Sequence, residues 1–409
     1  MLSFTTVSLP TIMLIGLSLF GKDTSKLSVA PHVGHRTCQG QPPAFLVVAG
    51  GSSPRNTEIA LEKNVLYFQR TLRHLGYSPA SATVYFANGN SRQPSVRYID
   101  SRGRQQFKLP QIPNLNGAST PANIQQWFQR VGRSPSTQSI FFYFTGHGDF
   151  NQRNPDNNAL MLWNNQYMTV QELATLLDQL PANKPIVTMM AQCYSGSFAN
   201  FVYQGGNPRY PLATQSRCGF FATIKTLPSV GCTPAVNEAD YRDYSSSFFA
   251  GLSGRSRTGQ AVASADYDRD GRVSYAEAHA FAKVDEFTTD LPVSTSEVWL
   301  QERASEQEID TILDRSIADI LLTARPEQYY VVTALLQKFN LSPQQSYRQA
   351  SDRAQIRSEE EQAYLVRLGM ELVNIAMEQK IRAGTGRDVA SLDKLLKCER
   401  GSWSTTHAE

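Results

Sequence analysis

Ile140-Phe141-Phe142-Tyr143-Phe144-Thr145-Gly146-His147-Gly148 is an apolar, aromatic-rich run that stops on one imidazole between two glycines. Pro185-Ile186-Val187-Thr188-Met189-Met190-Ala191-Gln192-Cys193-Tyr194-Ser195-Gly196-Ser197 repeats the pattern, with a thiol at its end and small residues beyond it. Both runs are short and bounded by turn-forming residues, the signature of strands buried on both faces of a parallel sheet. Such strands deliver His147 and Cys193 to one sheet edge, where ligands of open α/β sheets bind. A thiol beside an imidazole is a cysteine nucleophile with its base.

The flanking segments continue the alternation of strand and helix. Ala44–Gly51 reads as a first buried strand ending in a glycine turn. Ile59–Leu75 reads as a helix, with Leu61, Val65, Phe68, Leu72 and Leu75 on one face and Gly76 at its end. Thr83–Ala87 is a second strand, and Asn88 to about Ser119 a long loop. Thr120 caps a helix with Pro121 in its first turn, running to about Val131. Leu160–Trp163 is a short strand, Thr169 caps a helix over Val170–Leu180, and Cys218–Thr226 is a further strand. This order predicts an α/β fold with a mostly parallel sheet flanked by helices. From about Glu297 the pattern turns helical, with Leu365, Leu368, Leu372 and Ile375 as its clearest stripe, and predicts a C-terminal helical region over 297–409 packed on the sheet domain.

Bulk properties narrow the partners. The chain has 409 residues, 41% hydrophobic and 18% charged, with a formal charge of +3, which is too small to imply a nucleic-acid partner. Arg92, Arg97, Arg102, Arg104 and Lys108 cluster, but in a Gly/Asn/Ser-rich stretch expected to be a solvated loop. Val7–Phe20 is apolar, interrupted by Pro10 and too short for a comfortable membrane span. It suits a signal peptide over 1–30, although no Lys or Arg precedes it. The expected location is therefore periplasmic or secreted, with no stable membrane span once the signal is removed. If Cys193 is free, Cys38, Cys218, Cys232 and Cys398 remain for two disulfides. Cys218–Cys232 would close a short loop and Cys38–Cys398 would tie the C-terminus to the start of the mature domain.

Asp266-Tyr267-Asp268-Arg269-Asp270-Gly271-Arg272-Val273-Ser274-Tyr275-Ala276-Glu277 fits an EF-hand calcium loop. Asp266, Asp268 and Asp270 supply carboxylates, Gly271 the sharp turn, Arg272 a backbone carbonyl, Ser274 a water-mediated contact and Glu277 a bidentate carboxylate. The preceding Gly/Ser-rich segment lacks a clear entering helix, so a single structural Ca²⁺ is expected. No redox or organic cofactor is called for.

From about Ala44 to Gly254, roughly half the chain, the sequence resembles the legumain-like (asparaginyl endopeptidase) family of caspase-fold cysteine peptidases. The likeness rests on Phe144-Thr145-Gly146-His147-Gly148 and Ala191-Gln192-Cys193-Tyr194-Ser195-Gly196-Ser197. Ala49-Gly50-Gly51, Thr120-Pro121 and Phe221-Ala222-Thr223 support it. The resemblance implies a caspase-like peptidase domain over 40–290, with His147 as base, Cys193 as nucleophile, Gly148 as an oxyanion donor, and a peptide or protein substrate hydrolysed through a thioester. It implies a substrate pocket lined by Asp243, with Arg55 in the loop that carries the family's pocket arginine. An Asp243 without a compensating charge would favour a basic P1 side chain over Asn or Asp. The family has a glutamate two residues before its catalytic cysteine, where this chain has Ala191. A C-terminal segment that covers the family's active site until removal suggests latency here, by position alone. A transamidase or peptide ligase using the same dyad, and a non-catalytic calcium-binding protein on a peptidase fold, remain open.

Overall fold

The computed structural model describes residues 42–136 and 138–403; the expected signal peptide and Cys38 lie outside them. In chain order the first elements are β1 (Ala44–Gly50), α1 (Ile59–His74), β2 (Ala82–Phe86), β3 (Val96–Ile99), β4 (Gln105–Lys108), β5 (Leu115–Gly117) and α2 (Pro121–Arg133). There follow β6 (Ile140–Gly146), β7 (Gly148–Asp149), β8 (Ala159–Leu162), β9 (Gln166–Thr169), α3 (Val170–Asp178), β10 (Ile186–Ala191) and β11 (Arg217–Phe221). Then come α4 (Tyr244–Ser253), α5 (Tyr275–Asp285), β12 (Val293–Ser294), α6 (Thr295–Gln301), α7 (Glu306–Leu313) and α8 (Ile317–Leu321). The chain closes with α9 (Pro326–Lys338), α10 (Tyr347–Arg353), α11 (Glu359–Ala383) and α12 (Arg387–Glu399).

The protein is an α/β fold around a seven-stranded sheet in the order β12-β11-β10-β6-β1-β2-β5. All pairings are parallel except β11 with β12. Every residue of β6 is buried, as expected of a central strand covered on both faces. Alternate residues feed two cores. Leu46, Val48, Phe142, Phe144 and Met190 pack toward α2, α3 and the C-terminal helices. Phe45, Val47, Phe141, Tyr143 and Met189 pack toward α1, α4 and α5.

The 88–119 stretch differs from the long loop expected. It holds the β3–β4 hairpin and edge strand β5. The strands are short and polar, so their order comes from cross-strand pairing and ion pairs more than from a buried face. The hairpin is clamped to its surroundings by Arg97–Glu58 and Lys108–Glu62, and Arg104 pairs with Asp100. Three of the five clustered basic residues are thereby neutralised.

The described residues all belong to one compact unit. The C-terminal helices share its core: Trp299, Leu335, Leu368, Leu372 and Leu396 join the cluster below α2 and α3. The chain then crosses to the other face, where Trp403 is buried among Phe45, Phe68, Phe141 and Phe249. The tail thus completes the core. Cys398 on α12 is disulfide-bonded to Cys218 on β11, so neither Cys218–Cys232 nor Cys38–Cys398 forms. The two cysteines meet because α12 packs directly on β11. Among the described residues no helix is long and apolar enough to cross a membrane.

Candidate active site

The connections reverse at β1: β2 and β5 lie on one side of it, β6, β10 and β11 on the other. Such a reversal opens a crevice at the carboxyl ends of the strands. Gly146 ends β6 opposite Gly50 of β1, and Thr145 lies opposite Ala191 of β10. His147 is thus the next residue after β6, and Cys193 lies two beyond the neighbouring strand, about 4.8 Å across.

Local backbone geometry finishes the placement. Tyr194, directly after the thiol, adopts the left-handed conformation (φ 58°, ψ 21°). That geometry costs a non-glycine residue about 1–2 kcal/mol. Contacts hold it: the Tyr194 N–H donates to the Leu227 carbonyl at 2.9 Å, and its ring lies 4.9 Å from that of Phe150. Gly148 has no alternative, since a Cβ there would stand 2.1 Å from the Cys193 carbonyl oxygen. Gly148 faces Leu160 as the pair across which the Met161 N–H reaches the His147 carbonyl. That ladder pattern turns the Gly148 N–H away from β8. Among the described residues the Cys193 N–H donates to no acceptor either. Both N–H groups are thus unengaged, and Gly148 packs against the Cys193 backbone.

The imidazole is held by a residue that sequence reading missed. His147 Nε2 lies 2.9 Å from Glu58 Oε2, and Glu58 Oε1 accepts from Arg97 at 2.5 Å. Glu58 is the residue before α1 and is buried. Burial alone would lower the His147 pKa, but hydrogen bonds and charge from Cys232 and Glu58 outweigh it and push it up to about 11. For Glu58, burial works upward, and the contacts with His147 and Arg97 overcome it and hold the carboxyl below its usual range.

The Cys193 thiol meets the backbone of Ser229, accepting from its N–H at 3.3 Å and facing its carbonyl at 3.5 Å. Burial pushes the thiol pKa up. Ser229 is fixed by Asp290, which accepts from its hydroxyl at 2.6 Å and from the Val230 N–H at 3.1 Å. Asp290 is itself pushed up to about 6, chiefly by burial. Arg367 of α11 donates to the Asp290 carbonyl, which ties the C-terminal helices to the support of Cys193.

The remaining predicted residues separate. Asp243 is neither an exposed loop acid nor an uncompensated one. It caps α4, accepting from the Ser246 N–H at 2.7 Å, and pairs with buried Arg257 at 3.3 Å. Arg257 is wedged against Tyr241 and Tyr67 and also donates to Asn64. The charge argument for a basic P1 side chain therefore fails. Arg55 stands exposed on the turn after β1 without an ion-pair partner among the described residues. In the acidic loop, Asp266, Asp268 and Asp270 bring carboxylate oxygens within 4.8 Å of one another. Arg272 pairs with Asp270 at 2.8 Å. Glu277 is turned to the backbone, accepting from Tyr267 and Ser274 N–H groups, and Ser274 caps α5. No helix enters the loop from the N-terminal side: residues 254–265 contain none.

Glu58 carried no sequence signal beyond an ordinary helix-start acid. Cys232, free and near the imidazole, was counted toward a disulfide.

No family model and no curated protein matches the sequence. Among solved structures the chain is similar to a Geobacter sulfurreducens protein solved as a structural-genomics target, at 12% identity over 46% of this chain and 76% of that one, with a TM-score of 0.30. A likeness that slight carries no argument.

Proposed function

We propose that the protein is a cysteine endopeptidase of the legumain-like, caspase-fold type, with Cys193 as nucleophile and His147 as its acid–base partner. The observation that carries this reading is the parallel pairing of β6 with β10, which leaves the imidazole and the thiol at one crevice. The unengaged Cys193 and Gly148 N–H groups suit an oxyanion.

In this mechanism the Cys193 thiolate forms a bond to the scissile carbonyl carbon. The Cys193 and Gly148 N–H groups receive the oxyanion. His147, held by Glu58, gives its proton to the departing amine as the C–N bond breaks. Water then gives a proton to the neutral His147 as its oxygen bonds to the thioester carbon, and the C–S bond breaks, releasing the acid and restoring the Cys193 thiolate and the His147 imidazolium. The test is cleavage of a P1-diverse peptide library, together with an electrophilic peptide probe whose attachment is located by mass spectrometry. Labelling at Cys193 with cleavage supports the reading; a protein that neither cleaves nor labels refutes it.

Glu58 acts here as a positioning residue. Its replacement by glutamine is expected to lower kcat/KM about 10- to 100-fold. Glu58 favours the imidazolium, so its loss lowers the His147 pKa, and the alkaline limb of the pH–rate profile should move to lower pH. A Glu58→Gln enzyme with an unmoved limb would remove Glu58 from this role.

The same proposal includes one Ca²⁺ on the acidic loop. The converging carboxylates of Asp266, Asp268 and Asp270 are hard oxygen donors of the kind Ca²⁺ takes. Glu277 would have to swing from its backbone partners to join them. The loop leads into α5, whose first N–H, that of Tyr275, donates to the Gly401 carbonyl beside buried Trp403. A structural role follows. At Ca²⁺ a hundredfold above its Kd, about 2.7 kcal/mol of stabilisation is expected, raising Tm by a few degrees. Asp268→Ala should abolish the shift, and a chelator-insensitive Tm in the parent protein would refute the site.

A further inference from the structure

Beside the imidazole, three ligating side chains of different kinds converge: the Glu58 carboxylate, His147 and the Cys232 thiol. Their ligand atoms lie within 4.8 Å of one another. They come from the residue preceding α1, the residue directly after β6, and the irregular segment after β11. We propose that they form a binding site for a thiophilic divalent cation, Zn²⁺ above all, and that its occupancy switches the peptidase off. The switching half rests on the function proposed above; the binding half does not.

The donor set argues for the metal. Thiolate, imidazole and carboxylate are the ligands of zinc, whereas calcium takes oxygen alone. Zinc bonds of about 2.0–2.3 Å place the corners of a tetrahedron roughly 3.5 Å apart. His147 Nε2 and Glu58 Oε2, at 2.9 Å, are already close enough. With the widest separation at most 4.8 Å, closure asks for a shift of about 1 Å. Cys232 can supply it, because it sits in a stretch, 222–237, without helix or strand. Its neighbour Gly231 has φ 122°, and a Cβ there would press on Asp243, so the thiol is aimed by a backbone only glycine adopts at low cost. Arg97 holds the outer oxygen of Glu58, the kind of supporting contact that orients a ligating carboxylate. Glu58 and a Cys232 thiolate together carry two negative charges, matching the ion. Cys193 is not a member of the cluster, its sulfur being engaged with Ser229. Three protein ligands leave one position for water. A metal on Nε2 takes the place of the proton that makes His147 an acid, which is why binding should silence the enzyme.

The experiment uses Co²⁺ as a visible substitute on the full-length protein with its acidic loop saturated by Ca²⁺. One equivalent should produce a thiolate-to-cobalt charge-transfer band that Zn²⁺ abolishes by displacement. The band should persist in Cys193→Ala and vanish in Cys232→Ser, with Glu58→Gln binding about 10- to 100-fold more weakly. In parallel, Zn²⁺ should inhibit peptide cleavage by the parent protein, while Cys232→Ser remains active and resists it. No band in the parent, a band surviving Cys232→Ser, or a band lost in Cys193→Ala would each overturn the site. A protein that binds Co²⁺ through Cys232 but cleaves no peptide would refute the peptidase reading and leave the metal site standing. Undiminished cleavage in the zinc-loaded protein would overturn the switch.

Discussion

Cys193→Ala is expected to lower kcat/KM for peptide cleavage about a thousandfold or more, while Cys232→Ala keeps most of the activity. Removal of the nucleophile from a dyad eliminates the covalent route and leaves only binding and oxyanion stabilisation. The contrast matters because two free thiols lie near one imidazole. Cys193 stands on the turn after β10, beside its own unengaged N–H and that of Gly148, so an attacked carbonyl there would find donors. Cys232 sits in the loop that follows β11, with its sulfur toward the Gly146 carbonyl at 3.8 Å. Steady-state kinetics on both variants decides. Activity that survives Cys193→Ala and disappears in Cys232→Ala would transfer the nucleophile to Cys232.

Trp403→Ala is expected to destabilise the protein by about 3–5 kcal/mol, the range for emptying a buried aromatic site. Whole domains have only about 5–15 kcal/mol to lose. The indole is 1% exposed, with ring centroids 4.9 Å from Phe141, 5.1 Å from Phe45 and 5.5 Å from Phe68. These residues lie on β6, β1 and α1, so the cavity would open beneath the strands that carry the site. The nearby Cys218–Cys398 bond closes a span of 180 residues, worth up to about 5 kcal/mol on a chain-entropy account. A protein cut before α12 loses both and is expected not to fold, which removes tail excision as a route to activation. Urea unfolding with an unchanged slope and a lower midpoint would verify the point mutant's effect. A truncated protein that stays folded and gains activity would restore the latency reading.

Most elements were legible in the sequence because their signals are local. β1, β6 and β10 are continuous apolar runs, and Thr120 and Thr169 cap their helices as their side chains suggest. The β3–β4 hairpin was not legible, since polar strands carry little hydrophobic alternation and here take their order from ion pairs with α1 and the residue before it. The candidate calcium loop was readable for the same reason as the caps: its acidic residues lie within twelve consecutive positions.

By itself the sequence determined that a parallel sheet would carry His147 and Cys193 to the ends of two strands, because period and apolar length are properties of short segments. Only the tertiary structure decided which groups meet those ends. Glu58 reaches His147 across 89 residues, Arg257 neutralises Asp243 across 14, and Cys398 takes Cys218 and leaves Cys232 free beside the imidazole. Partners of this kind are selected by how helices and loops pack around the sheet, and side-chain packing between distant segments has no period that a linear chain displays.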